Sequence, residues 1–85
     1  METVPVTTAV KRNRVGNVDT SRLNGRRGYL VDNLRTIARD APNRIDFLGR
    51  VAELVAIEAE LIRRGELDRA DARTNLMRQD GTLLV

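Results

Sequence analysis

The sequence predicts an all-α fold: a small three-helix body with a long central helix, an extended basic N-terminal arm and a short apolar C-terminal tail. Three observations lead there. Apolar residues recur at helical spacing through most of residues 27–79. Positive charge is concentrated at the other end. Residues 1–28 hold Lys11, Arg12, Arg14, Arg22, Arg26 and Arg27 against Glu2 and Asp19, a local net of +4, whereas residues 29–85 carry −1. Finally, Pro42, Gly65 and Asp80-Gly81 interrupt the apolar pattern at helix-length intervals. The expected organisation is an arm over 1–26, a helical domain over 27–81 and an apolar tail over 82–85.

The arm opens with Val-Thr alternation around Pro5, which favours extended backbone at a sheet edge or outside any sheet. Asn13, Gly16, Asn17 and Asp19 then break regular structure. Gly25 and Gly28 bracket Arg26-Arg27, which reads as a solvated turn or a loose helix entry. The alternative is a loop that holds a phosphate or carboxylate on two guanidiniums near a helix N-terminus.

The first helix is expected over about 27–40. Leu30, Leu34, Ile37 and Ala38 fall at i, i+4, i+7 and i+8, with Arg35 and Arg39 off the stripe. Pro42 ends it, because the residue before a proline is pushed out of the helical region. The second helix spans about 43–64, roughly 33 Å at 1.5 Å per residue. Asn43 is its N-cap, Asp46 lies in its first turn, and Gly65 is its C′ residue after Arg63-Arg64. At about 100° per residue, Leu61, Leu54, Phe47, Val51, Ile62, Val55, Leu48, Ala59 and Ala52 occupy one arc of roughly 180°. One packed neighbour needs only about 100° of arc, so this helix has face for two.

Two residues depart from that pattern. Ile57 falls among Arg50, Glu53, Glu60 and Arg64, and reads either as an ordinary exposed apolar residue or as a partner contact. Glu58 falls inside the apolar arc. Either it snorkels to the edge, or it is a buried charge paired with an arginine of a neighbouring helix or subunit. The third helix, about 67–79, has a thinner stripe of Leu67, Ala70, Leu76 and Met77, with Asp68 as its cap. Thr82-Leu83-Leu84-Val85 closes the chain as an apolar anchor.

Composition restricts the function. The chain has 85 residues and neither histidine nor cysteine, which removes disulfides, thiolate chemistry and the commonest metal ligand and general base. Ser21 is the sole serine, so the usual nucleophile–base pairs cannot be built, and no enzyme, cofactor or metal is expected. Asp68 and Asp71 one turn apart are explained by the helix macrodipole. A body this small buries only about 60–65% of its unfolded surface, which favours oligomerisation or docking. No signal-peptide layout or membrane-length apolar run is present, so the expected setting is cytoplasmic or virion. Arginine outnumbers lysine fourteen to one. That ratio fits a GC-rich genome, or bidentate contact with carboxylates and phosphates.

The leading expectation is therefore a non-enzymatic assembly or adaptor subunit, most compatible with a small virion component of connector, cement or minor capsid type. It would bind a protein partner or copies of itself, with no membrane and no small-molecule substrate. The contacts are expected at Val4, Val6, Arg12, Arg14, Arg26 and Arg27 in the arm; at Leu54, Val55, Ile57 and Glu58 on the central helix; and at Leu83, Leu84 and Val85 in the tail. The alternative is a nucleic-acid-associated packaging or regulatory protein that uses the Arg-rich arm for phosphates. That arm has no aromatic residue, so base stacking is excluded. A small inhibitor of a larger enzyme complex is a third reading.

Overall fold

The computed structural model describes residues 5–39 and 44–74, and those residues are all-α. Helix α1 runs Thr20–Arg39 and helix α2 runs Arg44–Arg63. A 3-10 turn at Arg12–Asn17 precedes α1, and a shorter one at Arg69–Asp71 follows α2. Helical backbone resumes at residues 73–74, the last described.

The two long helices form an antiparallel hairpin. Thr20 meets Arg64, Arg26 meets Glu53, and Asn33 meets Arg50, so contacts progress in opposite directions along the two helices. Between them, Leu23, Leu30 and Leu34 of α1 pack against Leu54, Ile57 and Leu61 of α2, all fully buried. Val10 from the arm joins this core, and Val15, Val18 and Leu67 pack on its margins. Fully burying such a side chain is worth about 1.5–3 kcal/mol.

α1 begins seven residues earlier than the sequence pattern suggests. The carbonyl of Asp19 accepts the first helical hydrogen bond, from Leu23 N at 3.0 Å. Leu23 lies seven residues before Leu30 and therefore on the same face. Two glycines are thus carried inside the helix at a cost of roughly 1 kcal/mol each relative to alanine. Burial of Leu23 and Arg26 offsets that cost. The Gly25–Gly28 segment is consequently helical, neither a solvated turn nor an anion loop. Gly25 has a specific use, because the arm crosses α1 there: a Cβ at Gly25 would stand 2.9 Å from Val6 Cγ1. The expected arm is correspondingly shorter. Residues 20–26 belong to α1 and residues 12–17 to a 3-10 turn.

α2 matches the expected central helix to within a residue at each end; its expected cap, Asn43, lies outside the described residues. Gly65 ends it as the spacing requires, at φ +76°. Gly65 N donates to Ile62 O at 3.0 Å and Glu66 N to Leu61 O at 2.9 Å, the paired bonds of a Schellman motif. Asp68 caps as expected, accepting from Ala70 N at 3.0 Å, but what it caps is the Arg69–Asp71 turn. Helical backbone follows only from residue 73, and the rest of the expected third helix lies outside the described residues.

These backbone assignments make opposite predictions for two glycines. Gly65→Ala should lower stability by about 1–2 kcal/mol through the left-handed penalty. Gly28→Ala, at an exposed helix-interior site with no atom within 4 Å of the new Cβ, should raise it by about 0.5–1 kcal/mol. Urea denaturation followed by circular dichroism measures both; equal effects would contradict the assignments.

Candidate functional site

The side of α2 that packs on α1 coincides only in part with its apolar arc. Glu53, Leu54, Ile57, Glu58, Glu60 and Leu61 are all buried, which centres the packed face roughly 100° away from the middle of that arc. Three carboxylates therefore enter the protein interior, and each is met by arginine.

Glu53 lies between the arm and α1. Its Oε2 accepts from Arg26 Nε at 2.6 Å and from the backbone N of Val10 at 2.8 Å, and its Oε1 accepts from Arg26 Nη2 at 2.9 Å. Arg26 also donates Nη1 to Val6 O at 2.7 Å, and its guanidinium lies 5.1 Å from the centre of the Tyr29 ring. Both partners of this pair are buried, at 4% and 8% side-chain exposure.

Glu58 ties down the C-terminal segment. Oε2 accepts from Arg27 Nε at 2.6 Å and Arg73 N at 3.0 Å, and Oε1 accepts from Thr74 N at 2.9 Å. Arg27 adds Nη2 to Asp71 O at 3.1 Å. Glu58 is thus the buried, paired charge of the two readings its position allowed.

Glu60 completes the set at the far end of α2. It accepts from Arg63 Nε and Nη2 at 3.0 and 2.5 Å, and from Arg64 Nε at 2.7 Å. Arg64 then reaches Thr20 Oγ1 at 3.0 Å, Val15 O at 3.2 Å and Gly16 O at 3.3 Å. Hydrogen bonds first from Arg63 and then from Arg64 hold the Glu60 carboxyl at about 2, below its ordinary 4.5, against the opposing effect of desolvation. Among the described residues no buried side-chain nitrogen or oxygen lacks a partner.

Several residues expected to face a partner are therefore used internally. Leu54 and Ile57 belong to the core. Arg26, Arg27 and Glu58 belong to the ionic network. Arg22 likewise donates to Thr8 O at 2.9 Å. Val6 is 40% exposed where the arm crosses Gly25. Val4, Leu83, Leu84 and Val85 lie outside the described residues.

Two surfaces stand out among the described residues. One is the outer face of α2. Leu48 is 53% exposed and Ala59 is exposed, while Ala52, Val55, Ala56 and Ile62 are half-buried. The other is the Arg12–Asn17 turn, where Lys11, Arg12 and Arg14 are exposed and without a side-chain partner among the described residues. Among the described residues no cluster of acids could hold a metal ion, and no helix is long and apolar enough to cross a membrane. No protein-family model, no curated protein and no solved structure matches this chain.

Glu53→Gln should strand Arg26 in the interior and cost about 3–5 kcal/mol, whereas exposed Glu66→Gln should stay within about 0.5 kcal/mol of wild type. Urea titration of the pair decides it; similar costs would mean that the buried pair has no special role.

Glu60 sets a pH dependence. Because its folded carboxyl is held at about 2, below the ordinary 4.5, its stabilising effect is complete above about pH 4.5 and is lost as pH falls toward 2. The melting-temperature gap between wild type and Glu60→Gln should be open at pH 7 and close across that window. A gap that stays constant with pH would contradict the assignment.

Proposed function

We propose that this chain is a non-enzymatic assembly subunit that pairs with a second copy of itself through the outer face of α2. The observation that carries this reading is a largely apolar arc left open on a helix about 30 Å long, with exposed Arg63 at its C-terminal end. Leu48, Val55 and Ile62 recur every seven residues and form a ridge. Beside it, Gly49, Ala52, Ala56 and Ala59 form a shallow groove.

A ridge next to a groove on one face is complementary to its own twofold copy, since each ridge can lie in the other molecule's groove. Small residues in the groove permit close approach of the two backbones. The ion pair at its C-terminal end, Glu60 with Arg63, is closed within α2 itself, and the rest of the face is apolar enough to be a liability if left in water. The described arm is not needed for this contact, because it is already bound to its own body.

Sedimentation velocity of the full chain in 50 and 500 mM salt tests the reading. A dimer that persists in high salt is expected. Val55→Asp should weaken association at least about 100-fold, because each copy would bury an unpaired charge, while leaving helicity intact. Leu54→Asp, one residue away but in the core, should instead abolish helicity. A monomer at ~100 μM, or an unchanged Val55→Asp dimer, overturns the proposal.

A further inference from the structure

We infer that the Arg12–Asn17 turn and its N-cap Lys11 form a separate binding surface for the phosphate backbone of a nucleic acid. Half of the six basic residues in the N-terminal part of the chain are not available for such a role. Arg22, Arg26 and Arg27 are all turned onto backbone carbonyls or carboxylates of the protein itself. Lys11, Arg12 and Arg14 are not, and they lie within four consecutive residues.

The turn displays them on a fixed support. Val10 N, just before it, is bound by Glu53, and Val15 O and Gly16 O within it are bound by Arg64. Arg14 N donates to Lys11 O at 2.9 Å, so these two residues are one 3-10 turn apart and project on the same side. At about 2 Å of rise per residue they are separated by roughly 6 Å along the axis of the turn. Arg12 and Asn13 lie between them, and with Lys11 they line an open depression. No carboxylate occurs anywhere in residues 5–18.

The surface fits a phosphate backbone better than an acidic protein. A protein interface draws its affinity from buried aromatic or aliphatic anchors, and here the neighbours are Asn13, Gly16 and Asn17, all exposed. Val15 and Val18 face inward to the core. Backbone phosphates need only cations and polar groups held in place, and recognition of that kind is independent of base sequence.

The experiment is fluorescence anisotropy of a labelled 20-base-pair DNA duplex titrated with the full chain between 50 and 200 mM salt. Three cations per bound chain give a log–log slope of about −2.7, a roughly 40-fold loss of affinity across that range. Each of Lys11→Ala, Arg12→Ala and Arg14→Ala should reduce the slope by about 0.9 per bound chain, with helicity unchanged. Val55→Asp should retain the per-chain slope, which separates this surface from the proposed dimer face. Absence of binding at 50 mM salt, a slope indifferent to the three substitutions, or binding of polyglutamate that the duplex does not compete, would each overturn the inference.

Discussion

The pairing of Arg26 with Glu53 is the interaction on which the rest of the structure depends. Both side chains are almost fully buried, and neither could be there alone. Together they place a carboxylate of α2 against α1 and so determine which side of α2 faces inward. They also hold the arm, because the remaining donors and acceptors of the pair go to Val10 N and Val6 O. A segment with little regular structure thereby has its backbone satisfied without a sheet or helix of its own.

Glu58 and Glu60 apply the same principle elsewhere. Each uses one carboxylate and its arginines to join a helix to an irregular segment: residues 71–74 in one case, residues 15–16 in the other. Buried ion pairs contribute little net stability compared with apolar packing of the same volume. Their effect here is specificity. They favour one rotation of α2 about its axis, since another would part Glu53 and Glu58 from Arg26 and Arg27 of α1. Glu60, paired within its own helix end, would keep its arginines but lose the Arg64 link to residues 15–16. This also answers how a chain without cysteine holds the irregular segments among its described residues. The arginines do it.

The two surfaces proposed for binding follow from what that arrangement leaves over. With its acidic side turned inward, α2 presents part of its apolar arc outward, the reverse of the usual amphipathic layout. With Arg22, Arg26 and Arg27 occupied internally, the exposed basic character of residues 5–28 contracts to Lys11, Arg12 and Arg14 on one anchored turn. Packing thus removes some side chains from the surface and concentrates others on it.

Much of the backbone was legible from local pattern. The all-α class, the extent of α2, the left-handed Gly65 and the Asp68 cap all follow from spacing and turn chemistry, which depend on neighbours in sequence. The start of α1 was not legible in the same way, because Asp19, Gly25 and Gly28 read as breakers, although Leu23 stands seven residues before Leu30 on the same face. The site was much less legible. Ile57 and Leu54 read as surface or docking residues because helical periodicity locates an apolar arc without saying which part of it meets the neighbour. The partners of Glu53 and Glu58 lie 27 and 31 residues away, with no local mark of the pairing. The sequence by itself determined where helices form and stop, because those choices are made by propensity, capping and spacing within a few residues. Only the tertiary structure decided which face of α2 is buried and which arginines remain free, because both depend on satisfying charges brought together from distant parts of the chain.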